Sequence, residues 1–251
     1  MSEGPQVRLI TERLQRKLQR KLLSRCVTTR ANLERFAAAI AGSSFERIFC
    51  KGKHIFFALD SEQFLHNQLL MRGRWRMTRD RFMLLPYEIW LAFETGDWTV
   101  YNQKGQVLRI LNAEQTQKQL DSLGADVMCD KCKEQDIVEA LSGQQEPAGE
   151  LLLDQSVLSG IGNVAKSEAL FLAGIHPETE IIELTERELS KLAGSIRSVM
   201  WDSYKSGGRW TRRVYRRSGE RCLKCGTRII MIRQGKQNRS TYFCPKCQQR
   251  A

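Results

Sequence analysis

Hydrophobic and polar positions along the chain follow two distinct rhythms. Between Pro5 and Leu22, the apolar residues Val7, Ile10, Leu14, Leu18 and Leu22 recur at helical spacing. Pro5 suits the first turn of that helix, where its missing N–H costs nothing. A second helix is predicted over roughly Ala31 to Ala41, stopping at Gly42. From Glu46 to Leu111 the rhythm shortens to that of strands: RIFC, HIFFAL, EQFLHNQL, RWRM, EIWLAFE, DWTVYN and VLRIL. Turn residues at Asp60-Ser61, Thr95-Gly96 and Lys104-Gly105 interrupt them. Short antiparallel strands with tight turns predict a β-sandwich or small barrel.

Residues 112–149 are polar and end in Ser-Gly-Gln-Gln-Glu-Pro-Ala-Gly, which marks a domain boundary. Helical spacing then returns. A helix is predicted over residues 151–158, a turn at Ser159-Gly160-Ile161-Gly162, and another helix from Asn163 to Leu172. Thr185 and Glu188 have the spacing of a capping box. The helix they open carries Leu189, Leu192, Ile196, Met200 and Tyr204 on one stripe, and Gly207 can end it. A basic, strand-like stretch from Arg209 to Arg217 leads into a cysteine-rich end.

Composition narrows the class. Of 251 residues, 41% are hydrophobic and 27% charged, which excludes a wholly disordered chain and a collagen. No apolar run approaches the ~18 residues a membrane-spanning helix needs. The first 25 residues are charged throughout, with no apolar segment for a secretory signal, so an intracellular location and no membrane partner are expected. The net charge of +12 fits a polyanionic partner, most simply nucleic acid, although a basic globular protein without one is also compatible.

Candidate chemistry concentrates at the two ends. Cys222/Cys225 and Cys244/Cys247 form two Cys-x-x-Cys pairs with 18 residues between them, the spacing of a zinc ribbon. Four thiolates leave no open coordination position, so a single Zn2+ there would be structural. Two redox disulfides are the other reading. The intervening loop carries Arg233, Lys236 and Arg239, suited to gripping phosphate or simply solvated. The Ser159–Asn163 turn between two helices can offer backbone N–H groups to an anion or serve as an ordinary connection.

At the other end, removal of Met1 would leave Ser2 with a free α-amine, whose reference pKa near ~7.7–8.0 keeps part of it neutral. The helix that follows should lower that value further. Glu3 is placed to act as acid or base, unless the terminus is merely frayed. Lys53 beside Gly52 could reach a phosphate or a reacting sugar, or be a solvated edge charge. His66 is read as a structural histidine, and Cys129 and Cys132 as free thiols.

Taken together, these segments resemble the formamidopyrimidine-DNA glycosylase and endonuclease VIII family of base-excision repair, over nearly the whole chain. MSEGPQVR is similar to that family's Met-Pro-Glu-Gly-Pro start, GKHIFF to its lysine-bearing hairpin, and LLDQSVLSGIGNVAKSEALFLAGIHP to its helix–two-turn–helix signature. VYRRSGERCLKCG and RSTYFCPKCQ are similar to its zinc finger. SEGP and HNQLL look closer to the endonuclease VIII branch, which is associated with oxidised pyrimidines.

The resemblance implies an α+β multidomain fold. Residues 1–128 would form an N-terminal catalytic β-sandwich flanked by helices, and 129–149 a linker. Residues 150–216 would form a helix–two-turn–helix DNA-binding domain and 217–251 a zinc finger. It also implies excision of a damaged base that is first turned out of the stack, with strand nicking through a Schiff base. By position, Ser2 would supply the amine, Glu3 the proton transfers and Lys53 a catalytic or phosphate contact. Gln68, Leu69 and Leu70 would fill the gap left by the everted base, and Asn163 and Arg239 would hold flanking phosphates. Damaged DNA is the expected partner, the expected state is a monomer, and the location would be the bacterial cytoplasm and nucleoid, or a nucleus. Two positions depart from the family: Ser2 where Pro is usual, and Gln6 where an acidic residue is common. They leave open a monofunctional glycosylase, or a silent paralogue that only binds damaged or branched DNA.

Overall fold

The computed structural model describes residues 2–81, 84, 86–105 and 107–250. Two compact units result, the first made of Ser2 and Val7–Asp121, the second of Glu3–Gln6 and residues from Ser122 onward.

Helix α1 spans Gly4–Leu18. Its residues Val7, Leu14 and Leu18 are fully buried in the first unit. The helix stops a turn earlier than its apolar spacing predicts. Arg20 takes a left-handed φ of +55°, and its N–H binds the Phe45 carbonyl at 2.8 Å. The chain therefore turns away, Leu22 is left exposed and Leu23 is buried instead. Strand β1 (Arg25–Thr28) follows, a short strand that the sequence pattern did not reveal. After a 3-10 turn at Ala31–Leu33 comes α2 (Glu34–Ala39), which buries Phe36 and Ala37.

Seven strands follow: β2 (Phe45–Lys51), β3 (His54–Leu59), β4 (Phe64–Gln68), β5 (Arg74–Thr78), β6 (Ile89–Glu94), β7 (Thr99–Gln103) and β8 (Val107–Leu111). With β1 they form the predicted sandwich, with sheet orders β2-β3-β4-β8 and β1-β6-β7-β5. Strand alternation sends Phe45, Ile48, Ile55, Phe57 and Leu65 inward from one sheet, and Leu91, Phe93 and Val100 from the other. Phe45 meets Phe93 edge-on at 5.1 Å, and Phe57 lies 5.3 Å from Trp75. Such ring pairs add roughly 0.5–1.5 kcal/mol each beyond their buried area. The Trp75 indole N–H is satisfied by Asn67 Oδ1 at 2.9 Å.

The opposite face of β2-β3-β4 carries a second row of rings, Phe49, Phe56, His66 and His54, stacked at 4.9–5.2 Å. His54 Nδ1 and His66 Nε2 share a hydrogen bond of 2.9 Å, and the Gln68 amide lies 2.6 Å from His54 Nε2.

Helix α3 (Ala113–Asp121) closes the first unit. Asn112 and Gln115 cap it reciprocally at 2.8 and 3.1 Å, an Asn-x-x-Gln signal inside the stretch read as polar connection. In the second unit, β9 (Ala125–Asp126) pairs in parallel with β10 (Leu158–Ser159). Between them lie α4 (Glu134–Leu141) and α5 (Ala148–Leu151). Residues 129–149, expected as a linker, thus hold a helix whose Ile137 and Leu141 are fully buried.

The helix predicted over 151–158 does not form beyond Leu151. Asp154 Oδ1 instead accepts the Ser156 N–H at 2.8 Å, and Gln155 binds the Leu153 carbonyl and the Gly160 N–H. These side chains compete with the helix for backbone groups. Helix α6 (Asn163–Ala173) ends at Gly174, φ +77°. Helix α7 (Glu186–Lys205) opens on the predicted Thr185/Glu188 capping box and buries Leu189, Leu192, Ile196 and Met200. Arg209–Arg217 is not a strand, because the N–H groups of Arg213, Val214 and Tyr215 all turn inward to the Glu168 carboxylate. Strands β11 (Ile230–Gln234) and β12 (Arg239–Phe243) form the terminal hairpin.

The buried histidine pair makes the first unit acid-sensitive. Burial first, then the charges of His66 and Lys53, lower His54 to a pKa of about 3, and burial, then the charge of Arg109, lowers His66 to about 4. The unfolded chain therefore binds more protons between those values and ~6.5. Stability present above pH 6.5 should fall away as the pH drops toward 4. A His54→Gln/His66→Phe variant should show a shallower loss in acid-denaturation curves, and a parallel loss would assign the effect to other groups.

Candidate active site and nucleic-acid interface

In the second unit the N-terminal residues are built onto the start of α6. The Glu3 side chain is fully buried. Its carboxylate accepts N–H groups from Gly162 at 3.1 Å, Val164 at 2.9 Å and Ala165 at 3.1 Å. These are donors that the first turn of a helix leaves without intrahelical partners, and the positive end of the helix dipole complements the charge. Gly162 is required by contact, since a Cβ there would collide with the Glu3 carboxylate. The Gly4 N–H adds a 2.8 Å bond to the Gly160 carbonyl. Asn163, 7% exposed, has a side-chain oxygen with no partner among the described residues.

Helix α6 is also tied to the terminal hairpin. Lys166 is fully buried, and its ammonium donates to Thr241 Oγ1 at 2.7 Å. Burial, then the charge of Arg239, lowers its pKa to about 8. Arg239 is exposed at the start of β12 and binds Gln237 Oε1 at 2.9 Å through Nη2. Asn163 and Arg239 therefore stand on two elements joined by a buried lysine.

The four terminal cysteines converge. Their sulfurs all lie within 4.8 Å of one another, with Cys225–Cys244 at 3.4 Å and Cys222–Cys247 at 3.9 Å. Zn–S bonds of ~2.3 Å in a tetrahedron place sulfurs about 3.8 Å apart, so the set fits one zinc ion. Hydrogen bonds from Thr227 pull the Cys225 thiol down to about 6, while burial pushes Cys244 up and Cys247 up to about 12, so the four thiols share their charge unevenly. Cys129 and Cys132 find no third ligand among the described residues. Cys132 is buried, which raises its pKa, and both are free thiols.

In the first unit, the Ser2 backbone nitrogen lies 3.3 Å from the Leu70 carbonyl. Lys53 occupies the two-residue β2–β3 turn, entered through Gly52 at φ +58°. Neighbouring Lys51 is committed to the Leu120 carbonyl at 2.8 Å. Gln68 ends β4 against His54. The expected gap-filling trio divides: Leu69 is buried in the sandwich core, whereas Leu70 is exposed on a strained backbone at φ +46°. Met71, which sequence reasoning did not single out, is 68% exposed beside it.

The sequence matches the formamidopyrimidine-DNA glycosylase N-terminal domain over residues 1–108 and the H2TH domain of the same glycosylase over 123–214. Residues 219–250 match the zinc finger found in FPG and IleRS. A formamidopyrimidine-DNA glycosylase from Chloroflexus aurantiacus is 30% identical over 279 residues, covering 99% of this chain and 98% of the relative. The chain belongs to the formamidopyrimidine-DNA glycosylase and endonuclease VIII family. A DNA-(apurinic or apyrimidinic site) lyase, Nei2, from Mycolicibacterium smegmatis is 28% identical over 99% of both chains. A shorter match, 42% identical over 104 residues, links 39% of this chain to 17% of Endonuclease 8-like 3 from Xenopus laevis. The fold agrees with that of Lactococcus lactis Fpg in complex with abasic-site DNA, with a TM-score of 0.86 at 23% identity, over 99% of this chain and 100% of that one.

Within that family frame, Lys166 and Glu168 are residues that sequence reasoning missed. The signal was available. VAKSEALFLA places a lysine and a glutamate in a helix with no polar face, and buried charges require partners.

Two predictions follow from this geometry. Metal analysis should return one zinc per chain. Cys244→Ser should lower that content and melt the terminal hairpin at a lower temperature, because structural zinc supplies folding free energy. A metal-free protein with an ordered hairpin would refute the assignment. Separately, the lowered Lys166 pKa means that the unfolded chain holds more protons between about pH 8 and the unperturbed lysine value of ~10.4. The stability of the wild type relative to Lys166→Met should therefore rise with pH across that window in paired melting curves.

Proposed function

We propose that the protein excises damaged, oxidised bases from DNA and nicks the strand at the resulting abasic site. The observation that carries this reading is the Glu3 carboxylate, buried and bound by three N–H groups at the start of α6. Besides holding the first turn of α6, this carboxylate belongs to the residue next to the proposed nucleophile, which gives the site an acid–base group adjoining the amine. The basic surplus and the Arg209–Arg217 segment supply phosphate attraction independent of sequence.

In the proposed reaction Met1 is removed and the Ser2 α-amine attacks C1′ of an everted nucleotide. The glycosidic bond breaks, its electron pair leaves with the base, and the base takes up a proton. Loss of the amine proton and opening of the sugar ring give a Schiff base between C1′ and the Ser2 nitrogen. Removal of a C2′ proton then expels the 3′-phosphate. Glu3 carries the proton transfers, and Lys53 makes a phosphate or sugar contact. Leu70 and Gln68, with Met71 beside them, fill the vacated stack, while Leu69 anchors the loop from inside the core. Asn163 and Arg239 hold flanking phosphates.

Ser2→Ala retains the amine and should retain borohydride trapping on abasic-site DNA, whereas keeping Met1 or acetylating residue 2 should abolish it. Wild-type binding without trapping would make the protein a silent paralogue or a monofunctional glycosylase. Glu3→Gln should slow base excision by about a hundredfold while sparing more activity on a pre-formed abasic site, since no base departs there. Arg239→Ala should weaken binding on any sequence and reduce the log–log salt slope by about 0.9. An unchanged slope would remove Arg239 from the phosphate contacts.

A further inference from the structure

Gln6 stands where the family commonly has an acid, and it makes contacts that an ionised acid could not make. Its Oε1 accepts the Glu3 backbone N–H at 3.0 Å. Its Nε2 donates to the Gly208 carbonyl at 2.6 Å and reaches Ser203 Oγ at 3.3 Å. These partners fix the orientation of the amide, because a backbone N–H only donates and a carbonyl only accepts. A carboxylate has no proton for Gly208 and would face that carbonyl with like charge.

The receiving carbonyl lies in the turn that ends α7. Gly207 and Gly208 lie at φ +73° and +87°, a conformation that costs glycine little and other residues more. The Gly208 N–H is fixed to the Ser203 carbonyl at 2.7 Å, and Ser203 is 2% exposed. The N–H held at the other end belongs to the planar Ser2–Glu3 peptide, whose orientation sets the position of the Ser2 α-carbon; the nitrogen on that carbon can still turn about the Cα–C bond, and the Leu70 carbonyl at 3.3 Å is its own contact.

We infer that Gln6 is a positioning residue for the nucleophile, a neutral clamp between the Glu3 N–H and the Gly208 carbonyl. Its identity governs the rate of amine attack at C1′ and not the choice of base. The inference rests on the Ser2 amine being the nucleophile.

The test compares wild type, Gln6→Glu and Gln6→Met, each checked by intact mass for Met1 removal and by melting for folding. Single-turnover borohydride trapping is measured on duplex DNA with a pre-formed abasic site, and affinity on the same duplex carrying an unreactive tetrahydrofuran analogue. Both variants should trap at least about tenfold more slowly, since displacement of reacting groups by an ångström costs up to about a hundredfold. Their affinities should stay within about twofold of wild type. Trapping at the wild-type rate by a folded variant would overturn the inference. So would slowing confined to base-bearing lesions, which would make Gln6 a base reader. Loss of affinity in step with rate, or unfolding of both variants, would make it merely structural and overturn it equally. If Gln6→Glu alone fails to fold, Gln6→Met decides. Failure of wild type itself to trap would instead remove the nucleophile assignment, and the clamp with it.

Discussion

The arrangement of the second unit depends on one interaction, the capture of the Glu3 carboxylate by the first turn of α6. Three N–H donors converge on two oxygens at 2.9–3.1 Å in a fully buried place. Hydrogen bonds to a charged group contribute about 1.5–3 kcal/mol each. Removal of the carboxylate would strand donors that the helix cannot satisfy itself. That capture determines much of the local sequence. Gly162 must lack a side chain, Gly4 must approach closely enough to bind Gly160, and Gln6 must hold the peptide that follows Ser2.

The same helix repeats the device once more and adds a buried cation. Glu168 gathers the N–H groups of Arg213, Val214 and Tyr215, and Lys166 reaches Thr241 on the terminal hairpin. Eleven residues of α6 thus organise the N-terminal segment, the basic stretch after α7 and the zinc hairpin through buried charge, where apolar packing alone could not. The hairpin needs both supports. Its apolar cluster is small, centred on Phe171, Val214, Cys222, Ile229 and Cys244, and so small a core relies on a metal or an anchor. The hydrogen bond from the buried Lys166 ammonium to Thr241 also ties the hairpin to the helix, so that Arg239 and Asn163 are presented from two joined elements.

Much of this was legible in the sequence, for identifiable reasons. The sandwich strands, α7 with its capping box, and the zinc knuckles rest on local rules of alternation, capping and ligand spacing, and these held. The errors arose where side chains, or in one case a distant backbone carbonyl, took over backbone hydrogen bonds. Asp154 and Gln155 stopped a helix, Glu168 drew a basic segment out of any strand, and Phe45 ended α1 before Leu22. Each involves a partner distant in sequence or a competing side chain that periodicity does not register. The candidate residues were legible as types, but not their surroundings. Nothing in HNQLL separates a buried Leu69 from an exposed Leu70, because the left-handed turn that divides them occurs at a leucine, not at a glycine.

That distinction bears on the departure at residue 2. The contacts given to Ser2 and its peptide are made through their own backbone nitrogens: the Ser2 nitrogen to the Leu70 carbonyl, and the Glu3 N–H to the Gln6 side-chain oxygen. Neither contact requires the side chain of residue 2. On the proposed reading, the fold specifies where a nitrogen stands and leaves open whether it is a secondary or a primary amine. A primary amine gains a route that proline lacks, since its imine can lose a proton and become neutral, which weakens the electron sink for elimination. The substitution therefore falls on the lyase step more than on base removal. A clamp on the adjoining peptide is the means by which the chain can keep the attacking geometry while the chemistry of the nucleophile changes.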